Sequence, residues 1–273
     1  MQESQYVKII ERSLRKARKT ILDRREKIVE VGKNRFNDTT FNVDIESEAA
    51  IIKEFEESGQ GFTIISEESG TREVNGGGKI VVIDPLDGSN NAIKGIPFYG
   101  ISIAVADGDR ISDIIASGIA NVITGDTILA HRQSVFFNKK TCHPSNTTDL
   151  GSAMVSVVPK LHNLDESYYP GRLSALLKKI RYPRFLGSAA LETAFVSIGF
   201  MDAFVELAPR LRVVDLAASF HMARISGAYL RILNIDQDIG LRYDGRISCI
   251  VAANEKLGKQ IADAIRQLPE DPP

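Results

Sequence analysis

The 273-residue sequence predicts a layered α+β to α/β sandwich, with an antiparallel N-terminal sheet and a second C-terminal sheet accompanied by helices. Three observations carry this expectation. The chain opens on an amphipathic helical pattern, continues through short β-rich runs with no room for helices between them, and then alternates strand and helix patterns.

Ile10, Leu14, Ala17 and Ile21 recur at helical spacing, so residues 3–31 are expected as a helix whose basic side faces solvent. Residues 32–40 almost lack apolar periodicity and read as a mobile loop or a loose hairpin. Asp44 opens a second helix with Ala49, Ile52 and Phe55 on one face. Residues 62–65, 79–83, 101–106 and 114–121 are short β runs bounded by turns, which favours a largely antiparallel sheet. Strands are then expected at 153–158, 182–186, 203–207, 229–233 and 247–253, with helices at 171–180, 188–199, 215–226 and 255–267. The boundary falls near 145–152, dividing the chain into units 1–148 and 149–273.

Hydrophobic content of 43% with 25% charged residues suits a globular protein with a sizeable core, with disorder expected only at 268–273. A net charge of −1 gives no general attraction to nucleic acid or an anionic membrane. Cys142 and Cys249 lack the spacing of a disulfide framework or a zinc site. No apolar run approaches membrane-span length, and the polar start does not read as a signal peptide. Two glycosylation-pattern matches, at Asn37 and Asn146, therefore read as chance, and a cytoplasmic enzyme is expected.

Three acidic clusters stand out: Glu67-Glu68 after a β run, Asp84-Pro85-Leu86-Asp87-Gly88-Ser89 after another, and Asp215-Leu216-Ala217-Ala218 leading into a helix. Carboxylates at the ends of neighbouring strands converge on one crevice. Proline between Asp84 and Asp87 breaks a straight strand, so the turn can aim both acids inward and expose the Leu86 carbonyl. Gly88 permits a sharp turn, and Ser89 stands at a helix N-terminus suited to phosphate. Hard oxygen ligands without nearby histidine or cysteine fit Mg²⁺ rather than zinc. Taken singly, each cluster reads as a turn, a charged surface or a helix cap; their joint occurrence points to a metal-dependent phosphomonoesterase.

The combined pattern resembles the inositol monophosphatase family, grouped with fructose-1,6-bisphosphatase and related lithium-sensitive metal phosphatases. Residues 81–91 resemble its D-P-[IL]-D-G-[ST] element, Glu67-Glu68 its glutamate pair and residues 214–218 its late D-x-A-A; Asp44, with Thr40 close by, resembles its earlier T-x-x-D. The resemblance covers about residues 30–255 and implies an αβαβα sugar-phosphatase fold, a metal and phosphate site in 1–148, and a sugar pocket completed by 149–273. It also implies hydrolysis of inositol monophosphate, fructose 1,6-bisphosphate or both by metal-activated water, with two to three Mg²⁺ ions (Mn²⁺ as a substitute) and a homodimer or homotetramer.

By the same resemblance, one ion is held by Glu67, Asp84 and the Leu86 carbonyl, a second by Asp84, Asp87 and Asp215, and a weaker third leans on Glu67. Glu67 and Ser89 would orient the attacking water, with Asp44 hydrogen-bonded to Ser89 and Lys33 near the third ion; the Gly88 and Ser89 N–H groups would hold phosphate. Gly187, Ser188, Ala189 and Glu206 resemble the polyol pocket, and Arg210 or Arg212 is expected to meet a second phosphate. Ser89 replaces the commoner threonine, Val214 a tryptophan, and Ala92-Ile93 a phenylalanine position. The histidines at 131, 143, 162 and 221 are expected outside the site, His221 as a packed residue. The competing substrate is a 3′(2′)-phosphonucleotide or NADP, and the competing class a non-catalytic, metal-binding regulatory subunit.

Overall fold

The computed structural model describes residues 2–159, 169–236 and 238–266. The expectations for residues 268–273 and His162 lie outside these. The first helix, α1 (Gln2–Arg24), buries Ile10, Leu14, Ala17 and Ile21 as its periodicity predicts. It stops well short of residue 31 because Asn42 pins the following chain: its Oδ1 accepts from Val29 N–H at 2.9 Å and its Nδ2 donates to Lys27 O at 3.1 Å. The chain then forms an antiparallel hairpin, β1 (Glu30–Lys33) and β2 (Thr39–Phe41), and enters α2 (Asn42–Glu57).

The large sheet follows: β3 (Phe62–Ser66), β4 (Gly70–Val74), β5 (Lys79–Asp87), the short helix α3 (Ser89–Lys94), β6 (Gly100–Ala106), β7 (Ile114–Asn121), β8 (Thr127–His131), β9 (Ser134–Phe137) and β10 (Lys140–Cys142). Its strand order is β10-β9-β8-β7-β6-β5-β3-β4, antiparallel except for the β3–β5 pair. The smaller sheet is formed by β11 (Met154–Val157), then, after α4 (Tyr169–Leu177), β12 (Tyr182–Arg184), and, after α5 (Ala189–Ser197), β13 (Ala203–Leu211). The helix α6 (Val213–Ser226), strands β14 (Tyr229–Ile232) and β15 (Ile247–Ala252), and helix α7 (Glu255–Arg266) complete the chain. The order is β12-β11-β13-β15-β14, with β11 parallel to both neighbours.

Five layers result, in agreement with the αβαβα expectation. Alternate residues of β5 explain why: Val81 and Ile83 join the core under α1 and α2, while Ile80 and Val82 join the core shared with α5 and α6. A strand covered on both faces reads as a continuous apolar run. On β13, Phe204 faces the α5–α6 layer, whereas Ala203 and Val205 face α4 and α7. Because α6 lies between the two sheets it is buried nearly all round from Val213 to Ala223. No helix among the described residues is long and apolar enough to cross a membrane.

Candidate active site

The site follows from the one parallel pairing in the large sheet. Ser66 of β3 pairs with Ile83 of β5, so Glu67, just past the end of β3, and Asp84 of β5 lie side by side. The β5–β6 register shifts between Asp84 and Asp87, accommodating Pro85 as a bulge rather than ending the strand. Leu86 N–H donates to Asp84 Oδ1 at 3.0 Å and Ser47 Oγ to Pro85 O at 2.8 Å, fixing the turn. Asp215, the third residue of α6, accepts from Arg212 N–H at 2.7 Å. Helix α6 packs on β5 and β6, which carries Asp215 to the same place. Glu67, Asp84 and Asp215 each present an oxygen within 4.8 Å of the others.

Around them lies a cleft of about 1080 Å³ lined by residues of both sheets, including Glu68, Leu86, Asp87, Gly88, Ser89, Gly187, Ala189, Glu206, Arg210, Arg212 and Arg246. Among the described residues, no histidine or cysteine lines it. Gly88 takes a left-handed φ of 91°, and a Cβ there would stand 2.9 Å from Gly187 O, so a side chain would push the two loops apart. Burial and mutual repulsion dominate the electrostatics. Burial first, then the neighbouring Glu67, Asp87 and Asp215, holds Asp84 well above the usual carboxylate range. Glu67 is raised the same way, by burial and then Asp215, against the pull of Arg212. Burial raises Asp44 and Asp87 to about 7 each, and raises Asp215 too, there opposed by Arg212 and Arg246. An all-oxygen group of crowded acids that outnumbers the two arginines beside it, Arg212 and Arg246, fits a divalent cation.

This crowding has a measurable consequence. Asp44 and Asp87 titrate near 7 when folded against about 3.8 as free side chains, so stability is greatest below that lower value and is lost as pH rises through about 7. With divalent ions chelated, the melting temperature should fall between pH 5 and pH 8. Added Mg²⁺ should raise it more at pH 8, where the ligands are deprotonated. A melting temperature that climbs over that range without metal would contradict the electrostatic account.

The structure places several expected residues differently. Ser89 Oγ donates to Leu86 O at 2.9 Å and makes no bond to Asp44. Asp44 instead caps α2, accepting from Phe41 N–H at 2.8 Å, while its buried Oδ1 lacks a hydrogen-bond partner. Lys33 lies exposed on β1 with Nζ 3.3 Å from Asn37 O, outside the cleft lining. Arg212 lines the cleft with its guanidinium paired to Asp38 and, at 3.1 Å, to Glu67. Ser188 is buried and donates to Asp87, whose Oδ2 also accepts Ala190 N–H at 2.8 Å. Glu206 is buried against Ala208 N–H at 3.1 Å, and Arg210 lines the cleft. His221 is packed as expected, its Nδ1 2.9 Å from Ser117 Oγ; burial lowers its pKa to about 3.

Four contributors escaped the sequence reading. Glu192 accepts the Leu186, Gly187 and Ser188 N–H groups at 3.0, 3.0 and 3.1 Å, and also Ser156 Oγ. Its signal was available as the single acid in the apolar helix α5. Asn91 Nδ2 ties Phe98 O (2.7 Å) to Leu186 O (2.6 Å), joining the two halves of the cleft. Arg246 and Asp38 carry no local motif; only the tertiary structure brings them in.

The comparisons with known proteins agree with this geometry. The model of the inositol monophosphatase family matches residues 2–270. The fructose-1,6-bisphosphatase/inositol-1-monophosphatase of Methanothermobacter thermautotrophicus is 32% identical over 244 residues, covering 82% of each chain. The bifunctional NADP phosphatase/NAD kinase of Methanococcus maripaludis is 26% identical across 81% of this chain and 42% of its own. Among solved structures, the extragenic suppressor protein suhB from Bartonella henselae superposes with a TM-score of 0.82 at 26% identity, over 96% of this chain and 98% of that one. The sandwich, the converging acids and these matches together make the chain a phosphatase of the inositol monophosphatase family.

Proposed function

We propose that the protein is a Mg²⁺-dependent phosphomonoesterase that hydrolyses inositol monophosphate and fructose 1,6-bisphosphate. The observation that carries this reading is the convergence of Glu67, Asp84 and Asp215 in one cleft. Glu67, Asp84 and the Leu86 carbonyl would hold one ion, and Asp84, Asp87 and Asp215 a second. Bound divalent cations supply Lewis-acid polarisation of the phosphoryl oxygens and a water of lowered pKa. The chain's own groups do the rest. Glu67 accepts the proton of the attacking water, helped by the Ser89 hydroxyl once it turns from Leu86 O. The Gly88 and Ser89 N–H groups face the phosphate, and Glu206 accepts a hydroxyl of the leaving polyol. Asp44 would act through α2, whose first turn it caps, and Lys33 through the hairpin, where its Nζ donates to Asn37 O.

Because Arg212 is committed to Glu67 and Asp38, a second phosphate falls to Arg210 and Arg246, both in the cleft lining. Arg246→Ala should raise KM for the bisphosphate about tenfold, the worth of one charged hydrogen bond, while changing KM for inositol 1-phosphate by less than about twofold. Equal effects on both substrates would remove Arg246 from the second-phosphate role.

A phosphate-release assay over inositol 1-phosphate, fructose 1,6-bisphosphate, phosphoadenosine phosphate and NADP, with Mg²⁺ and with Li⁺ as inhibitor, tests the function. Release from the first two supports the reading. Preference for NADP would favour the activity for which the M. maripaludis relative is named, which the exposed Phe185 ring in the cleft lining also accommodates. Mg²⁺ binding without turnover of any ester would make the chain a metal-binding regulatory subunit. A homodimer or homotetramer is part of the proposal, read by light scattering.

A further inference from the structure

The tip of the β1–β2 hairpin, residues 34–38, is a turn closed by its own bonds. Asn34 Oδ1 accepts the N–H groups of Phe36 and Asp38, each at 3.0 Å, and Asn34 N–H donates to Asp38 O at 2.9 Å. A turn knit this way moves as one body. Its outward contacts converge on the acid cluster. Arg212 pairs with Asp38, lies 3.8 Å from the Phe36 ring centroid and donates to Glu67 Oε1 at 3.1 Å; Asn34 Nδ2 reaches the same oxygen at 3.2 Å. A further tie, Arg35 to Asp244 at 3.5 Å, joins partners 31% and 71% exposed, so water screens it. Arg212 is 4% exposed and its Glu67 partner 19%, so that pair is sheltered from water, while the Asp38 end of the linkage is 51% exposed.

We propose that Arg212 is a positioning residue, a catch that holds the hairpin tip over the acid cluster by bridging Asp38 and Phe36 to Glu67. The assignment uses what a guanidinium alone offers: separate N–H ends for two carboxylates and a flat face for a ring. Lysine supplies the charge but neither the fork nor the face. The proposal rests on the site described above, yet its test involves no turnover, so it stands or falls separately from the phosphatase reading.

Hydrogen–deuterium exchange on the full chain, read across residues 34–38, decides it. Arg212→Met should accelerate exchange at the tip by about tenfold or more, the range expected when a buried tie to a loop is cut. Arg212→Lys should not restore protection. Asp38→Asn, on an exposed partner, should loosen the tip while leaving the melting temperature at the wild-type value. The double variant should be no faster than Arg212→Met alone, because both cut one linkage. Unchanged tip exchange in Asp38→Asn would overturn the proposal, and does so even if Arg212→Met fails to fold. Acceleration spread equally through α6 and β13 would also overturn it, by making Arg212 a fold-stabilising residue only.

Discussion

Asp84→Asn should lower kcat/KM by about 10³-fold or more, the scale of removing a group that stabilises the transition state directly, while making the metal-free protein more stable. Asp84 is 2% exposed and faces Glu67, Asp87 and Asp215, so its charge is the most crowded of the set. The amide keeps the shape and can still accept Leu86 N–H, but removes one repelling carboxylate. Relief of about 1–2 kcal/mol would raise the chelated protein's melting temperature by about 2–6 °C. The Mg²⁺-induced rise should shrink at the same time. Calorimetric melting in chelator and in Mg²⁺, beside phosphate release, reads all three effects. A variant that loses activity and also melts lower in chelator would show that Asp84 is a structural acid and not a metal ligand.

The second large effect is expected at a residue that touches no substrate. Glu192→Ala leaves three backbone N–H groups and the Ser156 hydroxyl without their acceptor, in a site where Glu192 is 2% exposed. Such losses cost about 3–5 kcal/mol together, or about 10 °C in melting temperature. Activity should fall as well, because the released segment 186–188 carries Ser188, which holds Asp87. Glu192→Gln should restore only part of either loss. Its amide would present hydrogens to the Gly187 and Ser188 N–H groups that the second oxygen now accepts. Full recovery with glutamine would mean that the segment is held by other contacts.

Much of the architecture was legible because the helices and central strands are periodic. The burial of Ile10, Leu14, Ala17 and Ile21, and the apolar run of β5, translate directly into faces of the sandwich. The end of α1 was not legible, since nothing in residues 25–31 announces that the Asn42 side chain will take over the backbone there. Strands β4 and β8 to β10 were missed for a local reason. Residues 71–73 of β4 are exposed, and the turn from β8 to β9 uses Arg132 and Gln133 at positive φ (50° and 62°) without a glycine to mark it.

In the site, the acids could be read because Glu67, Asp87 and Asp215 stand at the ends of elements and Asp84 at the Pro85 bulge of β5, where chain direction brings them to the cleft. What the acids bond to could not. Arg212 reads equally well as a phosphate ligand until its partners Asp38 and Glu67, remote in sequence, are known. The Asp44–Ser89 bond failed similarly. Asp44 is the third residue of a helix, and the nearby Phe41 N–H claims its oxygen.

One measurement bears most directly on the central claim: anomalous scattering from crystals of the protein grown with Mn²⁺, as a heavier substitute for Mg²⁺, together with inorganic phosphate. The account predicts peaks about 2.0–2.3 Å from carboxylate oxygens, one shared by Glu67 and Asp84 and a second by Asp84, Asp87 and Asp215, with phosphate facing the Gly88 and Ser89 N–H groups. A strong Mn²⁺ peak elsewhere, with those carboxylates bonded only to protein and water, would contradict it.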